Sequence, residues 1–387
     1  MSVNERRNLQ IPLYIDTFFD NGNEIWFINY NALCSLNKRT GEISVEMFLQ
    51  EDIQKRNLYR YSVLCEDKLV FIPTAAEKIL IFDLGLRTSL EIDIKVPIHD
   101  AYNLYSEDNK FMTAAVWKNY VFLIGGTYSA IIRLDIVTNE LIYIYDIHKE
   151  LTRLVKNQTL FFAGQCLVEK NMLYIPTASS SLLLILNMET LEFELTAVGE
   201  NGGNFVGICK SDNDIWLTGT DRRLARYNLS TKRCEVFQIP VDYTGIGSPY
   251  VKIACDQGKV YLYGYNVYKH FIYDIESKQF TEMKLQMGAD LDIERVSFYF
   301  LYGKDSWFEG YCREQRCFIQ IDNWNRINNI YYLENTKEIL DRWEMDRLKK
   351  KYAGIFQEKG SPLGENQEYN LKGYIEYIKG EPMDGEK

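Results

Sequence analysis

The chain has 387 residues and a formal charge of −10, with 46% hydrophobic and 14% aromatic residues, among them 28 Tyr and 20 Phe. This is ample for a large core and favours strands, because aromatic side chains fit a pleated, half-buried surface. The acidic balance argues against unspecific nucleic-acid binding and against docking on anionic membranes, since both need clustered Lys and Arg.

The start is polar, with Glu5, Arg6 and Arg7 and no apolar run behind them, so no secretory signal is expected. The longest aliphatic run, Leu182 to Leu186, is far too short for a membrane span. A soluble, cytoplasmic protein is the expectation.

From residue 11 onward one pattern repeats. An apolar strand ends in Asn or Asp, turns, and resumes as another strand. The punctuating residues are Asn37, Asp83, Asp135, Asn187, Asn228, Asp274 and Asp322, between 41 and 52 residues apart. A period of that length with all-strand content predicts a seven-bladed β-propeller of four-stranded antiparallel blades over residues 1–335. The second repeat serves as the template, with strands over Tyr61–Cys65, Lys68–Ile72, Lys78–Phe82 and Ser89–Asp93. A short Asx side chain at Asp83 can accept backbone hydrogen bonds and tighten the hairpin.

Every second strand carries a central aromatic, from Trp26, Phe71 and Phe122 through Tyr174, Trp216 and Tyr261 to Trp307 and Phe308. Rings there are expected to pack between blades. Inner strands are expected near 13–19, 59–65, 111–117, 161–166, 204–209, 250–255 and 295–302, and the third outer strand over Leu141–Ile147. The ring can close by blade packing alone, or residues 3–11 can add edge pairing to blade seven. Cys65, Cys166, Cys209 and Cys255 close inner strands and read as small buried hydrophobes. Cys312 and Cys317 flank a hairpin turn and can pair across it, although reducing cytosol favours free thiols.

After Tyr332 the pattern changes. Residues 336–387 form a C-terminal extension, with an amphipathic helix over Thr336–Gln357 that carries Leu340, Trp343, Leu348, Tyr352 and Ile355 on one face. Gly360 to Gly364 breaks it, and a second short piece follows at Leu371–Ile378. The helix plugs the ring or docks a partner protein.

Two blades carry a family resemblance. Asn23-Glu-Ile-Trp-Phe-Ile-Asn29 with Ser35-Leu-Asn-Lys-Arg-Thr-Gly-Glu42, and Asp214-Ile-Trp-Leu-Thr-Gly-Thr220 with Leu224-Ala-Arg-Tyr-Asn-Leu-Ser-Thr231, resemble blades of virginiamycin B lyase-like and sensor-type propellers. Gly125-Gly126 is similar to the kelch double glycine, which the other blades lack. The resemblance implies the fold across the repeat region, and blade motifs of this kind encode turns and packing rather than chemistry. The lyases use a histidine beside acidic metal ligands, but His99, His148 and His270 sit in no matching motif. The docking repeat of the quinone dehydrogenases is also absent.

In a propeller the loops joining strands two and three, and those joining blades, emerge on one face. Candidate ligand contacts in the first set are Tyr30, Thr74, Thr127, Tyr128, Thr177, Thr220, Arg222, Tyr265 and Tyr311, although loop Thr hydroxyls also satisfy backbone groups. The interblade loops carry Tyr102, Asn201 to Asn204, Tyr243, Ser248 and Arg295. His99 is the one candidate general base there. Beside it stand Asp100 and the acidic cluster Asp290, Asp292 and Glu294, which suits a hard cation, an acid/base pair or simply a solvated loop.

No zinc spacing, phosphate loop or nucleophile motif is present, so neither metal nor cofactor is expected. The sequence therefore supports a non-enzymatic binding or scaffold propeller that presents one face to a protein, peptide or glycan. The alternative is a lyase or hydrolase acting on a carbohydrate or cyclic peptide.

Overall fold

The computed structural model describes residues 11–51, 53, 55–95, 106–155, 160–162, 164–199, 204–245, 247–286, 296–304 and 307–358. Its frame is set by one hairpin turn. The third strand of each blade ends at Asn37, Asp83, Asp135, Asn187, Asn228, Asp274 or Asp322. Asn37 Oδ1 accepts the backbone N–H groups of Arg39 and Thr40 at 3.0 and 3.1 Å. Asp83, Asp135, Asn187 and Asn228 take the same two positions ahead of them. Asp274 takes the N–H of Ser277.

Four residues past the Asx, the chain adopts a positive φ at Gly41, Arg87, Asn139, Leu191, Lys232 and Lys278, which returns it into the fourth strand. The seventh turn differs. There Asn323 and Trp324 both have positive φ, and the Asp322 carboxylate instead accepts from Asn328 Nδ2 at 2.7 Å.

These turns yield seven sheets, each of four consecutive antiparallel strands in meander order. The sheets are the blades of a seven-bladed β-propeller. Adjacent inner strands are bolted together at one end. Buried Asp16 accepts from the backbone N–H groups of Asn57, Leu58 and Tyr59, and Thr17 Oγ1 meets Ser62 Oγ at 3.1 Å. The Thr74 hydroxyl donates to Phe111 O, and Thr218 donates to Tyr250 O. The central aromatics of the second strands are buried between blades. Trp26 lies 5.1 Å from Phe82, Trp216 lies 5.4 Å from Tyr273, and Tyr261 stacks on Trp324 at 4.2 Å.

Four local expectations are corrected. Blade four pairs over Leu167–Glu169 rather than Phe161–Cys166, with an isolated bridge between Phe162 and Thr177. The preceding segment turns to blade five, where Gln165 N donates to Val206 O at 2.7 Å. A Cβ at Gly164 would come within 2.2 Å of that same carbonyl.

The third outer strand stops at Ile144, and the chain forms helix α1, Asp146–Leu154, which buries Ile147, His148 and Leu151. The second strand of blade seven runs Trp307–Cys312, so Glu309 and Tyr311 are strand residues rather than loop residues. Finally, Cys209 and Cys255 form a disulfide, because equivalent positions on neighbouring inner strands bring their Cα atoms to 5.8 Å. Cys312 and Cys317 face each other across their hairpin as thiols.

The ring closes where blade one meets blade seven, without any strand exchange among the described residues. Phe318 packs on Phe18 and Phe27, and Lys38 Nζ binds both Asp20 at 2.5 Å and Glu309 at 2.8 Å. Asn335 completes the seam. Its Oδ1 accepts from Asn29 Nδ2 and its Nδ2 donates to Ile11 O, both at 2.9 Å.

The ring's compact unit ends at buried Ile339. Helix α2 spans Lys337–Glu358, and Thr336 Oγ1 accepts from Ile339 N in its first turn. The second unit begins at Leu340, and its helix carries an Asp346–Lys350 pair at 3.0 Å. Its apolar residues segregate only weakly to one face. The expected segment at Leu371–Ile378 lies outside the described residues.

Candidate functional site

The inner strands start with a shared device. The ladder skips one residue between Ile15 and Thr17, Tyr59 and Tyr61, Phe111 and Thr113, and Phe205 and Gly207. The skipped residues are Asp16, Arg60, Met112 and Val206. A bulge re-aims a side chain that regular pleating would send into a sheet face. Arg60, Met112 and Val206 consequently line a cavity of about 400 Å³ on the ring, which all seven blades help to form. That volume is within the usual range for a ligand site. Asp16 is the exception, committed to the backbone of blade two.

The cavity wall is mostly apolar, with Phe18, Val63, Ala114, Val251 and Phe298 among its residues. Among the described residues two charges line it, Arg60 and Lys252, and none of the lining residues is acidic. Arg60 Nη2 donates to Tyr299 Oη at 3.1 Å, and its backbone N–H is fixed by the Thr74 hydroxyl at 3.1 Å. Lys252 Nζ sits 5.4 Å from the Tyr61 ring centre, and the Tyr61 hydroxyl reaches Gly164 O at 3.0 Å. Tyr265 stacks on Tyr299 with ring centres 5.7 Å apart, and the Arg313 guanidinium lies 3.7 Å from the Tyr299 ring centre. Burial pushes the Tyr265 phenol above its ordinary pKa.

The residues singled out in the sequence separate into three groups. Thr220, Tyr265 and, from the interblade loops, Ser248 line the cavity, the last buried with its hydroxyl on Gly219 O. Thr74, Thr127, Tyr128, Thr177, Tyr30 and Tyr311 are buried. The Thr127 hydroxyl donates to the Ser106 and Asn109 carbonyls, and Thr177 bonds within its own loop to Ser180 and Leu182. The hydroxyls of Tyr128 and Tyr30 donate to Lys95 O and Pro12 O. Tyr311 packs on Phe318. Arg222 is half-buried and donates to Val241 O. The third group, His99, Asp100, Asp290, Asp292 and Glu294, lies outside the described residues.

The other two histidines are buried. Burial holds His148 down at about 3, where its ring edge meets Phe161, and holds His270 down at about 4. His270 Nδ1 accepts the N–H of Gly264 and therefore carries no proton there. Among the described residues no three His, Cys, Asp or Glu side chains converge as a metal site would require. No helix among them is long and apolar enough to cross a membrane.

Reading the chain for loop residues missed Arg60 and Lys252, which belong to inner strands, and Tyr299, which stands just before one. A signal was available. Aligning those strands on their buried leading residues, Tyr59, Phe111, Phe205, Tyr250 and Phe298, puts Arg60, Met112, Val206, Val251 and Tyr299 in one column. That column varies in chemistry while its neighbour stays aromatic, and Lys252 falls one position after it.

The double glycine of blade three has a local cause. A Cβ at Gly125 would come within 2.0 Å of Tyr128 O, and one at Gly126 within 2.3 Å of Met112 Cγ.

Neither a protein-family model nor a curated protein matches the sequence. Solved structures match the fold. A catalytically inactive virginiamycin B lyase from Staphylococcus aureus, in complex with quinupristin, superimposes with a TM-score of 0.56 at 11% identity, over 83% of this chain and 96% of that one. The extracellular domain of the B. thetaiotaomicron one component system BT4673 gives 0.54 at 12% identity, over 78% of this chain and 38% of that one. BamB from Moraxella catarrhalis gives 0.51 at 14% identity, over 78% and 82%. The blades thus have the architecture of the lyase-like and sensor-type propellers that two of them resemble in sequence. At these identities the likeness concerns the fold.

Proposed function

We propose that this protein is a binding propeller without catalytic chemistry of its own, and that the ring face around the axial cavity receives a protein or peptide partner. The observation that carries the reading is the cavity wall, where Tyr265 and Tyr299 stack and Tyr299 meets the Arg313 guanidinium and Arg60. Rigid aromatic rings with a polar tip give large contact area at little entropic cost, and Tyr and Arg are enriched where partners bind most strongly. A glycan would use the same stacking surface. A mostly apolar wall, however, offers few of the hydrogen bonds that sugar hydroxyls need. The compartment in this reading is the cytoplasm, supported by the free thiols at Cys34, Cys65, Cys166, Cys234, Cys312 and Cys317, while the single Cys209–Cys255 bond weighs against it.

A photo-crosslinking residue at exposed Thr220, compared with the same residue at exposed Val236 on an outer strand, tests the proposal. Capture of one discrete partner from Thr220 alone is the expected result. Equal labelling from both positions, or none from Thr220, would overturn it.

A further inference from the structure

The axial cavity has an unusual charge pattern for this chain. The protein as a whole is strongly acidic, yet the charged residues lining the cavity are Arg60 and Lys252. Neither forms an ion pair with a carboxylate among the described residues. Arg60 spends one N–H on a neutral phenol, and Lys252 faces the Tyr61 ring. Asp16 feels the Arg60 charge, but its oxygens are already engaged by three backbone N–H groups. Half-buried cations that form no ion pair among the described residues favour an anion supplied from outside.

The bulge that turns Arg60 toward the cavity, and the Thr74 hydroxyl that fixes its backbone, show that this placement is built into the strand. Around the two cations the wall is apolar, through Phe18, Val63, Ala114, Val206 and Phe298. We infer that the cavity recognises a carboxylate on a short peptide segment, an acidic side chain or a free C-terminus flanked by apolar side chains, with Arg60 and Lys252 as the carboxylate-binding pair. This rests on the binding role proposed above and names the ligand class for the same site.

An array of random octapeptides, each made with a free and an amidated C-terminus and printed beside oligogalacturonates, separates the possibilities. It is probed with full-length wild type, the cavity-filling variants Thr220→Trp and Val63→Trp, and the Arg60→Gln/Lys252→Gln double variant, each first checked by thermal melting. Wild type is expected to select peptides bearing Asp, Glu or a free terminus next to apolar residues. At least one folded cavity-filling variant should lose that selection. The double variant should bind the same peptides at least about tenfold more weakly, as expected for lost hydrogen bonds to a charged group. Hits that survive amidation assign the carboxylate to a side chain, and hits that vanish assign it to the chain end; both support the inference.

Selection without acidic preference that is nonetheless lost on filling the cavity overturns the carboxylate assignment and leaves the binding role standing. Selection indifferent to filling overturns both. Binding of oligogalacturonates with no peptide selected overturns the peptide assignment, and an array on which nothing binds overturns the inference as well.

Discussion

The seam between blades two and three and the seam between blades seven and one do the same geometric job with different chemistry. The first is a continuous apolar interface in which Val70, Ile72, Ile79, Phe111, Val121, Leu123 and Ile132 are buried together. The second adds two aromatic contacts to a buried Asp20–Lys38–Glu309 cluster and a pair of asparagine bonds. The difference follows from connectivity. Blades two and three are joined by one interblade loop, so that seam forms locally. Blades one and seven are the two ends of the repeat region, and their contact pays the closure entropy of the whole ring. An apolar interface tolerates small slips. An ammonium fixed at once to Asp20 and Glu309 does not, and such groups can fix register at little or no gain in stability.

Breaking the charged seam should have the largest effect. Lys38→Met leaves Asp20 and Glu309 buried without their cation, and about 3–5 kcal/mol of stability should be lost in urea denaturation. Replacing all three residues with Leu or Met of similar volume should recover most of that loss. If the triple variant is as unstable as the single one, the cluster contributes stability rather than register. In the apolar seam, Leu123→Ala removes a fully buried side chain and should cost about 3 kcal/mol by cavity formation alone. No compensating substitution is predicted there, because no charge has been stranded.

The two seams also differ in how much of them could be read from the sequence. The apolar seams were legible because their residues recur. A central aromatic in each second strand and an Asx at the end of each third strand mark the same places in every blade. The closing seam was not, because the stretch around Tyr311, which carries Glu309, was expected as a loop, and nothing local to Lys38 reveals a partner 271 residues away. The Cys209–Cys255 bond failed for a related reason. The equivalence of the two positions was read correctly, but whether equivalent thiols meet depends on how neighbouring inner strands twist. Helix α1 was hidden by continuity, since Leu141 to Ile147 is a nearly unbroken run of β-branched, aromatic and aliphatic residues, and only tertiary packing of Ile147, His148 and Leu151 ends the strand at Ile144.

The cavity was half legible. Thr220 and Tyr265 belong to loops and were expected to face a ligand. Arg60 reaches the same space through a bulge, which leaves no mark in hydrophobic periodicity.

A pH series sharpens the comparison at smaller amplitude. Burial, with Asp20 beside it, pushes the Glu309 carboxyl up to about 9, against an ordinary value of 4.5, while Lys38 pulls it down. The folded state therefore holds a proton that the unfolded chain releases across that window. Stability from this group is full below about 4.5 and is lost as pH rises toward 9, with a slope of at most about 1.4 kcal/mol per pH unit. Glu309→Gln mimics the protonated form and should flatten the slope, so that the variant matches wild type near pH 5 and exceeds it near pH 9. Guanidinium melts at several pH values would show it. A parallel pair of curves would mean that the seam holds Glu309 ionised.

The smallest effect tests the repeat itself. Asn187 Oδ1 accepts two backbone N–H groups in its turn, whereas Asp322 accepts from the Asn328 side chain and leaves its own turn to two left-handed residues. Asn187→Ala should cost about 1 kcal/mol, the usual net worth of exposed turn hydrogen bonds. Asp322→Ala should cost less, because the Asn328 amide it releases is exposed and water can take its place. If the two losses are equal, the side-chain oxygen is not what shapes the six regular turns, and the left-handed residue four positions on must carry them. Asn139→Gly would then be the discriminating substitution, since glycine occupies that conformation without strain and its equivalent, Gly41, already does so in blade one.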